Sequence, residues 1–62
     1  MNINTAKGPD LEELPGIGPS LAQEIIEYRQ RNGPFSSIED LLNVSGIGPA
    51  KLEQIRDLIA VR

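Results

Sequence analysis

Gly16-Ile17-Gly18-Pro19 and Gly46-Ile47-Gly48-Pro49 are one phrase written twice, and the interval between them decides the fold. A shift of thirty residues also lays Asp10-Leu11 over Asp40-Leu41, Leu14 over Val44, Ser20 over Ala50 and Ile25 over Ile55. Self-similarity at a fixed period marks a repeated supersecondary unit. The 62 residues therefore read as one domain, 1–62, made of two copies of one unit, the first over about 4–32 and the second over about 35–61.

Within each phrase the residue types prescribe a turn that launches a helix. Glycine tolerates positive φ without a Cβ clash, so both glycines of each pair are expected to use it, and Ile17 or Ile47 between them points inward as a plug. Pro19 and Pro49 fall where a first helical residue belongs, since proline pre-sets φ at a position whose amide has no intrahelical acceptor. The free N–H groups and the macrodipole at such a helix start attract an anionic oxygen. Glycine at 18 and 48 leaves room for a phosphate to come close. The first turns, Pro19-Ser20-Leu21-Ala22 and Pro49-Ala50-Lys51-Leu52, hold no acid that would compete with it. Ser20 adds a hydroxyl donor, and Lys51 adds a cation expected to meet phosphate directly.

Outward from the turns the pattern is helical throughout. Leu21, Ala22, Ile25 and Ile26 form one apolar stripe, and Leu52, Ile55, Leu58 and Ile59 form its counterpart. Asn32-Gly33-Pro34 ends the first long helix, with Gly33 in a left-handed C′ conformation and Pro34 blocking continuation. Ser36 or Ser37 caps the next helix with Glu39 or Asp40 at capping-box distance, and Leu41, Leu42 and Val44 carry its buried side. Asn4 or Thr5 is expected to cap the first helix, with Pro9 in its first turn. Ile3 anchors the leading arm. No alternating strand pattern is present.

Composition removes several function classes. With no Cys and no His there is neither a disulfide framework nor a Cys/His zinc cluster. Hydrophobic residues at 39% suffice for a folded core, and no apolar run approaches the ~20 residues that cross a bilayer. The segment is thus expected to make no membrane contact. Six Lys plus Arg against nine Asp plus Glu, net charge −3, exclude a generic basic patch as the source of nucleic-acid affinity. Glu12-Glu13, Glu24 with Glu27, and Glu39-Asp40 bring carboxylates together, but without a His or Cys partner they read as solvated faces and caps. The chain is therefore read as a non-enzyme without cofactor or metal. Tyr28 and Phe35, the only aromatics, are too few for a base-stacking platform and belong to the core or its edge. Arg29 and Arg31 suit the negative end of a helix dipole.

On these residues the chain resembles the tandem helix-hairpin-helix family, and within it the DNA-binding domain of the ComEA-like bacterial competence proteins. The likeness runs through Asn2-Ile3-Asn4-Thr5-Ala6, Leu14-Pro15-Gly16-Ile17-Gly18, Ile25-Ile26-Glu27-Tyr28-Arg29, Asn32-Gly33-Pro34-Phe35, Glu39-Asp40-Leu41 and Val44-Ser45-Gly46-Ile47-Gly48. It implies a compact all-α, SAM-like fold of about four to five short helices with a pseudo-twofold internal repeat. It further implies non-sequence-specific binding of double-stranded DNA, with backbone amides on phosphates, in DNA uptake during transformation. Carried onto this chain, the DNA-binding residues are Gly16, Ile17, Gly18 and Ser20 in one copy and Gly46, Ile47, Gly48, Ala50 and Lys51 in the other. Hairpins of the family can also hold a monovalent cation on their carbonyls. Two departures stand out: Leu21 occupies the place of Lys51, and the net charge is acidic. The anchor and linker of a full-length ComEA-like protein are not in this sequence, so the expectation is a detached domain, at the outer face of the cytoplasmic membrane or in the periplasm, or a related small protein. The acidic balance favours the alternative, a protein-interaction or structural module on the same fold with little or no DNA affinity.

Overall fold

Burial repeats with the same period as the sequence. In the computed structural model, which describes residues 1–62, Leu11, Leu14 and Ile17 are buried, and so are their counterparts Leu41, Val44 and Ile47. Ala22 and Ile25 continue the first series, Leu52 and Ile55 the second. All five pairs enter a single core of 14 residues that contains no polar side chain. The Cα radius of gyration, 10.0 Å, matches the ~10–11 Å of a fully packed chain of this length, so the two copies form one body rather than two beads.

Five short helical segments supply these residues. They are α1 (Gly8–Leu11), α2 (Pro19–Asn32), a 3₁₀ helix (Ile38–Asn43), α3 (Pro49–Ile55) and a final 3₁₀ turn (Arg56–Leu58). Pro19 and Pro49 open α2 and α3 as their first residues, behind extended Gly18 and Gly48. Gly33 ends α2 at φ 84 and ψ −177. The positive φ is as expected, while the extended ψ places it outside the left-handed helical region and in one that only glycine enters freely.

Three expectations are corrected. In α1 the N-cap is Lys7 and Pro9 lies in the first turn, so neither Asn4 nor Thr5 caps it. Leu42 and Leu58 are exposed rather than buried. In the 3₁₀ helix three residues complete a turn, so Ile38, Leu41 and Val44 align on the inner face and Leu42 is carried outward; at the other end Ile59 takes up the burial where the chain leaves the last turn. The cap ahead of Ile38 uses Asp40, whose carboxylate accepts the N–H groups of Ser36 (2.9 Å) and Ser37 (3.3 Å).

Asn4 does something the helical pattern did not indicate. Its Oδ1 accepts the Phe35 N–H at 2.7 Å while its Nδ2 donates to the Phe35 carbonyl at 3.1 Å, so one side chain pins the leading arm to the start of the second copy. Arg29 reinforces the arm by donating to the Ile3 carbonyl at 2.9 Å. Phe35 is buried, with Tyr28 stacked on it at 5.1 Å between centroids. Asn4→Ala strips both hydrogen bonds from the part-buried Phe35 peptide and is expected to cost about 2 kcal/mol. A urea melt reads this loss, and an unchanged midpoint would remove Asn4 from the account of the fold. The arm also meets the chain end: Ile3 N–H donates to the Ala60 carbonyl (3.0 Å) and Ala60 N–H to the Met1 carbonyl (2.7 Å). This parallel bridge between Asn2 and Ala60 is isolated, and no strand forms. No helix is long and apolar enough to cross a membrane.

Candidate functional site

The two Gly-Ile-Gly-Pro turns share one construction. The first glycine takes positive φ, 76° at Gly16 and 95° at Gly46, whereas the second is extended, with φ −94° at Gly18 and −109° at Gly48. Only one glycine of each pair therefore uses the backbone freedom expected of both. Ile17 and Ile47 are buried plugs, at 4% and 5% exposure. Their N–H groups are also engaged, donating to the carbonyls of Leu14 and Val44 at 3.1 Å each. These two residues hold the turn shut through both side chain and backbone.

Beyond the plug the backbone opens to solvent. The first helical bonds run from Ala22 N–H to the Gly18 carbonyl (2.9 Å) and from Leu52 N–H to the Gly48 carbonyl (3.0 Å). Ahead of them, the N–H groups of Gly18, Ser20 and Leu21, and of Gly48, Ala50 and Lys51, have no acceptor within the chain. Neither first turn carries an acid. A Cβ built on Gly18 or Gly48 meets nothing within 4 Å, so the approach to both sets of donors is unobstructed. Ser20 and Ala50 are exposed beside them. The sequence pattern missed Leu21 as a backbone donor, although its alignment with Lys51 identifies it.

Residues 21 and 51 also cross between the copies. Lys51 Nζ donates to the Gly16 carbonyl at 3.0 Å, and Leu21 covers Gly46 so closely that a Cβ there would lie 2.6 Å from its Cδ2. Each helix start thus reaches over the first glycine of the opposite turn. The two turns are held side by side, and the Lys51 ammonium expected on a phosphate sits on a protein carbonyl.

Comparison with known proteins fits this repeated turn. The family model described as the helix-hairpin-helix motif matches residues 1–60. The chain belongs to the helix-hairpin-helix family. It is 48% identical over 62 residues to ComE operon protein 1 of Bacillus subtilis (strain 168), covering all of this chain and 30% of that protein. It is 51% identical over 61 residues to endonuclease/exonuclease/phosphatase family domain-containing protein 1 of Xenopus laevis, covering 98% of this chain and 11% of that one. An uncharacterized protein of Haemophilus influenzae is 47% identical over 60 residues, 95% of this chain and 54% of its own length. The chain thus spans about half or less of each of these relatives.

Elsewhere on the helix-hairpin-helix surface, two of the six cationic side chains, Arg31 and Arg56, are in ion pairs. Arg56 donates to Glu53 and Glu39 at 3.0 Å each, and Glu53 first, then Glu39 and Asp57, raise its guanidinium pKa. Arg31 lies 3.7 Å from Glu27. A shallow cleft of about 140 Å³ beside the C-terminal half of α2 is lined by Glu24 and Glu27 together with Arg31, and it includes neither turn. Two carboxylates make it a poor seat for phosphate. No three acidic, His or Cys side chains converge as a metal centre requires.

Proposed function

We propose that this helix-hairpin-helix domain binds double-stranded DNA without sequence readout, holding backbone phosphates on the amides of its two turns. Gly18 and Ser20, with Leu21, form one hook, and Gly48, Ala50 and Lys51 form the other. Gly16, Ile17, Gly46 and Ile47 shape them. One observation carries the reading: two helix starts in register, each with unsatisfied N–H groups, no acid in the first turn and open space in front. Oriented amides at a helix start suit an anionic oxygen, so a net charge of −3 sets the strength of such a grip rather than its existence.

The kinship with ComE operon protein 1, taken with the likeness to ComEA-like domains, supports DNA uptake in transformation as the setting. The same segment occurs in proteins named for an endonuclease/exonuclease/phosphatase domain, where it covers 11% of the length. That small share fits a non-catalytic role. Titration of a labelled duplex by fluorescence anisotropy over a salt series tests the proposal. With few unpaired cations, about two to four phosphates are expected to be neutralised, giving a log–log slope near −2 to −4 and roughly a ten- to hundredfold loss between 50 and 200 mM salt. Duplexes of unrelated sequence should bind alike. Absence of binding even at low salt would overturn the proposal in favour of a protein-interaction module, which the acidic balance and the exposed Leu42 and Leu58 would then serve.

A further inference from the structure

One pair of positions at which the internal repeat changes chemistry keeps a single structural role. Leu21 and Lys51 are thirty residues apart, hence equivalent by the repeat, and differ completely in chemistry. Each nevertheless lies over the positive-φ glycine of the opposite copy. At Gly46 the cover is apolar, and the Gly46 carbonyl receives no hydrogen bond. At Gly16 the cover is an ammonium 3.0 Å from the carbonyl, with the Gln54 Oε1 beside it, 3.4 Å from where a Gly16 Cβ would stand. This is the hydrogen bond that ties one turn directly to the helix start of the other. The bond lies at the exposed surface; the Lys51 side chain as a whole is partly buried, its stem lying along the protein while the ammonium is engaged by the carbonyl.

We propose that Lys51 is a positioning residue. Its ammonium locks the first turn to the start of α3 and so fixes the spacing of the two sets of amides, and it does not itself neutralise a phosphate. The role rests on the DNA-binding reading above, while the lock is a property of the free protein and is testable without DNA. A rigidly spaced pair of hooks engages one duplex at a lower entropic cost than two hooks that move independently. Leu21 confers the matching constraint on Gly46 by packing.

The experiment uses Lys51→Met, which keeps the aliphatic stem and removes the ammonium, and Lys51→Arg, which restores an N–H donor. In the DNA-free protein, Lys51→Met is expected to shift the Gly16 carbonyl ¹³C resonance and to raise amide exchange of Gly16 and Ile17, thirty-five and thirty-four residues away in sequence; Lys51→Arg should reverse most of both changes. With duplex, Lys51→Met should bind about tenfold more weakly with an unchanged salt slope. Lys51→Arg should recover most of the affinity at the same slope. A slope smaller by about one in Lys51→Met, with the Gly16 resonance undisturbed, would show a direct phosphate contact and overturn the proposal. If the unmutated chain binds no duplex, the DNA reading fails and the positioning role with it, and the Gly16 shift then reports a purely structural lock.

Discussion

Gly18→Asp combined with Gly48→Asp should eliminate duplex binding and leave the domain folded and slightly more stable. Both positions are N-caps in extended backbone, at φ −94° and −109°, conformations open to any residue. Nothing lies within 4 Å of a Cβ at either site, so a side chain enters without strain. Aspartate is among the preferred N-caps, better than glycine by a few tenths of a kcal/mol, and its charge complements the helix dipole. The melting temperature should rise by a few degrees, since 1 kcal/mol moves a domain of this size by about 4–8 °C. The same carboxylates would accept the N–H groups assigned to phosphate and repel its charge. Charge-assisted hydrogen bonds contribute about 1.5–3 kcal/mol each, so losing both hooks corresponds to more than a hundredfold in affinity, about 2.7 kcal/mol. The neutral pair Gly18→Asn with Gly48→Asn separates occupancy from charge: its side-chain oxygens cap the same donors, so it should lose most of the binding as well. Anisotropy at low salt beside a thermal melt reads both effects. Retained affinity in the aspartate pair would rule out these amides as the grip.

Among the turn glycines the largest loss of stability is expected from Gly46→Ala. Two costs coincide there. A non-glycine residue at φ 95° incurs about 1–2 kcal/mol, and the new Cβ would sit 2.6 Å from Leu21 Cδ2. Leu21 is half-buried against the core, so moving its tip disturbs packing at a further cost of about 1–2 kcal/mol. The total, about 2–4 kcal/mol, approaches the ~3–5 kcal/mol that a cystine-free core of this size supplies. Gly16→Ala shares only the first cost, because its Cβ finds its nearest neighbour, a side-chain oxygen of Gln54, at 3.4 Å. Urea titration should therefore rank Gly46→Ala well below Gly16→Ala, itself about 1–2 kcal/mol below the parent. Equal midpoints for the two variants would contradict the contact between Leu21 and Gly46.

The contrast between these two pairs of glycines shows what a single sequence can and cannot reveal. That a turn exists, that Ile17 and Ile47 plug it, and that Pro19 and Pro49 begin the helices all follow from residue type and order. Which glycine of each pair requires positive φ does not, because Gly-x-Gly offers the freedom twice and only the path of the chain decides where it is used. Helical stripes located most of the core. They misplaced Leu42, since periodicity assumes 3.6 residues per turn and the segment winds as a 3₁₀ helix. Asn4 was misread because Asn at a helix start is ordinarily a cap. Its partner is thirty-one residues away, and local pattern contains no trace of such a contact. For the same reason the repeat marked position 51 as exceptional without disclosing that Lys51 faces Gly16.

The junction of the two chain ends has a mechanical meaning. In a parallel pair, the residue that leads into one segment and the residue that leads out of the other emerge at opposite ends. Pulling on them slides the segments past each other instead of peeling them apart. The bonds from Ile3 to Ala60 and from Ala60 to Met1 would then bear load together. Asn4, which also donates to the Arg62 carbonyl at 3.3 Å, would share it from the side. Tension applied between the first and last residues thus meets a clasp loaded in shear, ahead of the core and both turns.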